Sequence, residues 1–184
     1  MIYRSPLPDV EIADVPLTAY VLAGEAARGD RPALIDGVSG QALTYADLER
    51  AVGSLAGGLA AGGFGTGDVL ALMAPNMPEY AVVFHAVAMA GGIVTTVNPA
   101  YTETEVHSQL RDSGATIVVT IAPLTAAAGR ASAGTKVREI YTLAEVAGAR
   151  GEVAGARPLA GLFAEPLAQQ VPVRADDVVA LPYS

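Results

Sequence analysis

The chain has 184 residues, is 52% hydrophobic and carries 19 acidic against 11 basic side chains, for a net charge of −8. A domain of this length buries roughly 70% of its unfolded surface, so a full core is available, while the acidic balance, with Lys136 the one lysine, excludes a nucleic-acid backbone or an anionic membrane surface as the expected partner. Zero cysteines exclude disulfides, thiol catalysis and thiolate metal sites; "MIYRSPLPDVEIADVPL" lacks the basic, apolar and small-residue order of a secretory leader, and the expected setting is cytoplasmic.

In chain order, Pro16 suits the first position of a helix. "ALID" (33–36) and "QAL" (41–43) flank the turn "GVSG" and read as a hairpin. Thr44 and Asp47 then make a capping-box start, and Leu48, Val52, Leu55 and Leu59 share one helical face. Gly57 and Gly58 inside that helix each cost about 1 kcal/mol relative to alanine, which implies that another backbone packs against them. After it the pattern alternates: strand "VLALMA" (69–74), helix "PEYAVVFHAVAMA" (78–90), strand "IVTTV" (93–97), helix "TETEVHSQLRDS" (102–113) boxed by Thr102 and Glu105, and strand "TIVVT" (116–120). Gly114 stands where a left-handed cap belongs. "REIYTL" (138–143) and "VVAL" (178–181) add strands. Short continuous apolar strands separated by helices predict an α/β fold, doubly wound, with a mostly parallel sheet and helices on both faces.

Two stretches test other architectures. Ala81 to Thr102 carries no formal charge and is long enough to span a bilayer, but Gly91-Gly92 interrupts it and β-branched "IVTTVNP" follows, so a helix and a buried strand account for it and no transmembrane segment is expected. "EVAGAR" at 145–150 recurs at 152–157. A coiled coil needs three or more heptads, so this repeat reads as low complexity within an Ala/Gly/Pro-rich irregular segment, 144–175.

Candidate chemistry is sparse. The glycines of "GGFGTGD" (62–68) end a helix and feed a strand, the reverse of a phosphate-binding fingerprint, and read as a cap and turn. His85 reads as a satisfied boundary residue in an apolar helix, and His107 as paired with Glu103 one turn earlier. Neither has a third ligand at metal spacing. Asp176-Asp177 reads as a solvated turn. Asn98-Pro99 and Tyr101 follow a strand, on the sheet edge where ligands gather in open α/β folds, although Asn98 as a cap and Pro99 as a turn former is the heavier reading.

"ALTYADLERAV" (42–52), "GDVLALMAPNMPEYAVVFHAVAMAGGIVTTVNPAYTETEVHSQLRDSGA" (67–115) and "DDVVALPYS" (176–184) together resemble the amino-terminal part of the adenylate-forming acid:CoA ligases, in the manner of 4-coumarate:CoA ligase and related aryl or fatty acid ligases. The resemblance covers most of residues 30 to 184, and it is specific as an ordered series, not through any one catalytic signature. In that family "LPYS" opens a Ser/Thr/Gly-rich loop, ending in a lysine, that wraps the ATP phosphates; small residues admit backbone N–H groups and hydroxyls add donors. Ser184 is the residue of that loop present here, and the resemblance makes it the candidate nucleotide-binding residue. Family residues for adenine, ribose, the acyl pocket and the carboxy-terminal catalytic lysine fall beyond Ser184, so no catalytic residue and no metal ligand is assigned, and Lys136 matches no family lysine.

The reaction the resemblance implies takes a carboxylic acid, ATP with Mg, and coenzyme A. An acyl-adenylate forms with release of pyrophosphate, and the coenzyme A thiol then displaces AMP. The expectation for residues 1–184 is an amino-terminal α/β subdomain, stopping at the start of the phosphate loop. It should be inactive by itself and prone to self-association through an uncovered sheet edge or apolar surface. Two alternatives stand beside it. One is a non-catalytic binding or structural module that keeps the sheet and lacks the loop. The other is an unrelated doubly wound nucleotide enzyme, against which no strand is followed by G-x-G-x-x-G.

Overall fold

The computed structural model describes residues 6–11, 13–24, 28–143 and 154–183. Helix α1 (Leu17–Val21) precedes an antiparallel hairpin of β1 (Pro32–Ile35) and β2 (Ala42–Thr44). At its tip Asp36 Oδ1 accepts from the Ser39 N–H at 2.6 Å, which closes the turn. Helix α2 (Tyr45–Ala61) starts on the expected capping box: Thr44 Oγ1 accepts from the Asp47 N–H, and the Asp47 carboxylate accepts from the Thr44 N–H. Leu48, Val52, Leu55 and Leu59 are all buried on its inner face.

The main sheet follows from β3 (Val69–Met73), β4 (Ile93–Thr96), β5 (Ile117–Ile121), β6 (Glu139–Leu143), β7 (Arg157–Pro158) and β8 (Ala180–Pro182). Its order is β7-β6-β5-β3-β4-β8, and every pairing is parallel. Helix α3 (Pro78–Met89) joins β3 to β4, α4 (Glu103–Ser113) joins β4 back across to β5, and α5 (Thr125–Ala131) joins β5 to β6. Because the first connection steps one way and the next two the other, right-handed crossovers put α3 on one face and α4 and α5 on the opposite face.

Side-chain alternation along the strands agrees with this. Leu70, Leu72, Val94 and Val119 pack with α2 and α3 residues such as Leu55, Val83 and Val87. Val69, Ala71, Met73 and Val118 pack with Val106 and Leu110 of α4 and with Ala128 and Ala131 of α5. Two buried layers on either side of a parallel sheet are what continuous apolar strands demand.

The glycine pair in α2 has its partner. Leu162 to Leu167 crosses the helix as a strap, with the Ala164 N–H donating to the Ser54 carbonyl at 3.1 Å and the Leu167 N–H to the Gly53 carbonyl at 3.0 Å. A Cβ on Gly58 would lie 1.4 Å from the Leu162 carbonyl oxygen, so only glycine admits the crossing. Gly114 ends α4 at φ 68°, the left-handed cap read from sequence.

Several bounds differ from the sequence reading. β8 begins at Ala180, not Val178, and Val178 is 54% exposed. The reason is the turn before it, in which Asp177 Oδ2 accepts from the Arg174 N–H at 2.7 Å and delays the strand. The short helix α5 and the two-residue β7 have no counterpart in the sequence reading. Of the "EVAGAR" repeat, 145–150 and 152–153 lie outside the described residues, and 154–157 run from a turn into β7. No helix among the described residues is long and apolar enough to cross a membrane.

Candidate functional site

In a parallel sheet all strand carboxyl ends share one edge, and a crevice opens where neighbouring strands send their helices to opposite faces. That point is β3, which leads to α3, between β5 and β4, which lead to α5 and α4. The candidate site is therefore the edge formed by the ends of β3, β4 and β8 and the first turn of α3.

At the end of β4, Asn98 Oδ1 accepts from the Ala100 N–H at 2.9 Å, so Asn98 is engaged in its own turn. Tyr101 is half-buried against the α4 and α5 layer. Both are part of the rim's construction. In the first turn of α3, Glu79 is half-buried and its Oε1 is buried with no hydrogen-bond partner among the described residues. Burial pushes its carboxyl above the ordinary range, partly offset by its own backbone N–H, while the Asp36 charge raises it further. Burial likewise raises the neighbouring Tyr80 phenol, against a hydrogen bond with Thr96 that lowers it.

The end of β8 is held from the α4 side. Thr95, fully buried, donates from Oγ1 to the Leu181 carbonyl at 3.0 Å. Gln109 of α4, also buried, donates from Nε2 to Thr95 Oγ1 at 2.8 Å and to the Thr96 carbonyl at 3.0 Å. Beyond Pro182, the Tyr183 phenol donates to Asp112 Oδ2 at 2.6 Å. That bond, with partial burial and the carboxylate charge, pushes the phenol up to about 12. Sequence reading missed Gln109 and Asp112. One signal was present: Gln109 shares the apolar face of α4 with Val106 and Leu110, where a polar side chain needs a partner.

Ser184 itself lies outside the described residues. The other sequence candidates fall elsewhere. Glycines 62–67 form the cap of α2 and the turn into β3, at the amino edge, with the Gly65 N–H donating to Asp68 Oδ2 at 2.9 Å. His85 Nδ1 lies 3.2 Å from Thr18 Oγ1, where α1 meets α3, and burial lowers its imidazole from the usual value. His107 is a correction. Its Nδ1 bonds the Ala131 carbonyl at 2.9 Å, and Glu103 pairs instead with Arg130 of α5, whose Nε donates at 2.8 Å. Two residues reaching across helices displaced the expected pair within one helix. Asp176 and Asp177 both bond Arg174 in an exposed turn. Lys136 Nζ lies beside Gly114, between α4 and β5 at the amino edge.

The described residues gather no group of three His, Cys, Asp or Glu that fits a metal ion. Chemically, this edge offers backbone groups and rigid side chains that can orient a ligand.

Comparison with known proteins supplies the context. A family model described as AMP-binding enzyme matches residues 23–184. The chain is 40% identical over 190 residues to 4-coumarate–CoA ligase 3 of Oryza sativa subsp. japonica, covering 100% of this chain and 32% of that protein. It is 42% identical over 122 residues to 4-coumarate–CoA ligase of Pinus taeda, covering 66% of this chain and 23% of that protein. It thus spans about a third or less of the length of these relatives. Among solved structures, a long-chain-fatty-acid-CoA ligase from Archaeoglobus fulgidus superposes with a TM-score of 0.83 at 19% identity, over 98% of this chain and 36% of that one. A benzoate CoA ligase from Burkholderia xenovorans LB400 gives 0.78 at 20% identity, over 90% and 32%. The structural likeness shows a shared fold, and the family match over residues 23–184 means that this chain belongs to the AMP-binding enzymes.

Proposed function

We propose that these residues form the amino-terminal α/β subdomain of an ATP-dependent acid:CoA ligase, acting on a 4-coumarate- or cinnamate-like aryl acid or a fatty acid. The observation that carries this reading is the 40% identity across the whole chain to a 4-coumarate–CoA ligase. The position of "LPYS" supports it, since β8 ends at the crevice edge with Tyr183 anchored and Ser184 next in line.

In the proposed reaction a carboxylate oxygen attacks the α-phosphorus of ATP, the bond to the bridging oxygen breaks and pyrophosphate leaves. The thiol of coenzyme A then adds to the acyl carbon, loses its proton, and AMP departs. Adenylation converts a poor leaving group into a good one. The protein's share is orientation and stabilisation of developing phosphoryl charge by preorganised donors. In that scheme Ser184 begins the phosphate loop and contributes a hydroxyl donor, and the first turn of α3 forms one wall. Magnesium would accompany the ATP phosphates. The cytoplasm, where ATP and coenzyme A are both at hand, is the proposed setting.

The test is thioester formation. A polypeptide that continues these residues to the length of the relatives is incubated with ATP, magnesium, coenzyme A and a panel of cinnamic, benzoic and fatty acids. An acid-dependent acyl-CoA identified by mass is expected. Consumption of none of the acids would overturn the reading.

A further inference from the structure

We propose that the outer edge of β7 carries a binding site for a small organic carboxylate, in which the free edge of the Arg157 guanidinium takes the carboxylate and the cavity bounded by Tyr141, Pro158 and Gly161 takes the apolar body. The site lies at the end of the sheet opposite β8, and the proposal is independent of the ligase reading.

Strand pairing brings the cation to the cavity. β7 aligns with β6 at two positions, Tyr141 with Arg157 and Thr142 with Pro158, which sets the arginine beside the tyrosine. Tyr141 is 2% exposed, and its phenol donates to Glu139. Burial and that carboxylate push the phenol up to about 12, so it keeps its proton at neutral pH. Arg157 Nη1 donates to Glu139 Oε1 at 3.2 Å and lies 3.4 Å from the phenol oxygen, while the guanidinium carbon stands 5.7 Å from the centre of the Tyr141 ring. Carboxylate, hydroxyl and ring thus fix the plane of a side chain that is 69% exposed.

Held this way, the guanidinium spends one nitrogen. Among the described residues its Nε and Nη2 donors have no partner, and Arg157 is one wall of a cavity of about 690 Å³, a volume in the range of small-molecule sites. The other walls include Ala154, Ala156, Pro158 and Gly161, all short side chains. A Cβ on Gly161 would meet nothing within 4 Å, so the space beside it is open.

Donor geometry and charge select the ligand. Nε–H and Nη2–H point the same way and match the two oxygens of a carboxylate. Glu139 already offsets the one positive charge, and the chain carries −8 overall, so a phosphate dianion meets more repulsion than a monoanion. A neutral molecule forgoes the charge-assisted bonds. The alanine and proline walls suit an alkyl body. Because the fork is largely exposed, the expected Kd is modest, about 1 mM.

The experiment titrates the 184-residue chain, kept dilute, with cyclohexanecarboxylate, its neutral carboxamide and inorganic phosphate, while NMR follows the Arg157 Nε–H and the Tyr141 ring. The carboxylate should saturate with a Kd of about 1 mM, and the carboxamide and phosphate should bind at least about tenfold more weakly. Arg157→Lys keeps the charge, loses the fork, and should weaken the carboxylate about tenfold. Gly161→Leu fills the cavity from a position where the backbone has room, and should weaken it by about as much with an unchanged circular dichroism spectrum. It carries the test alone should Arg157→Lys not fold. No shift at Arg157 by about 20 mM carboxylate, an unchanged Kd in both variants, or a carboxamide or phosphate that binds as tightly would overturn the proposal.

Discussion

At Gly58 a single methyl group decides whether the 162–167 strap can lie across α2. The atoms it would meet are backbone oxygens, of Leu162 for Gly58 and of Glu165 for Gly57, and neither can swing aside. Gly58→Ala should therefore destabilise the chain by about 3 kcal/mol, the upper end of ordinary overpacking. The effect would be read as a lower urea midpoint at unchanged slope; an unchanged midpoint would mean the strap does not rest there. Half of this was legible. Two glycines in a helix announce a close backbone, but the backbone that comes lies about a hundred residues later, in an Ala/Gly/Pro-rich stretch with no period to mark it. His85 gives a second prediction. Burial holds its folded-state pKa below the ordinary value of about 6.5, so the unfolded chain binds the proton first as pH falls. Stability from this residue is intact above about pH 6.5 and declines below it. His85→Gln should remove that part of the decline between pH 7.5 and 5.5 in urea titrations, and parallel decline in both proteins would refute it.

Elements were legible where local chemistry and period agree. The pairs Thr44 with Asp47 and Thr102 with Glu105 mark the starts of α2 and α4, and both form capping boxes. Thr44→Ala should cost about 1 kcal/mol in a chemical denaturation curve, and no change would contradict the capping role. Elements whose limits depend on distant partners were not legible. The Ala-rich "TAAAGRA" of α5 offers little contrast between faces, and β7 exists only because Arg157 and Pro158 align with β6. The start of β8 is set by the Arg174–Asp177 turn. The candidate site shows the same division. A polar Gln109 among the apolar residues of α4 can be noticed in sequence, yet its chain of bonds ends on Leu181, which lies 86 residues beyond Thr95. Nor could spacing foresee that Glu103 would choose Arg130 over His107.

For the molecule as a whole, the sheet explains both the kinship and the exposed surface. β8 is the outermost strand on one side, and beside it Val10, Val15, Tyr20, Val173 and Val179 line an open apolar cleft. Unpaired strand edges next to apolar surface invite pairing. The 184-residue chain should associate as its concentration rises in light scattering, and a monomer across the whole range would count against that expectation. On the proposed function, this sheet supports one wall of an adenylating centre, and the chemistry needs the further length that the relatives have. Acid-dependent exchange of labelled pyrophosphate into ATP, run side by side on the 184-residue chain and on the ligase-length polypeptide, tests it most directly. Exchange by the longer protein and none by the shorter is the predicted result; exchange by the 184-residue chain, or by neither with any aryl or fatty acid, would contradict it.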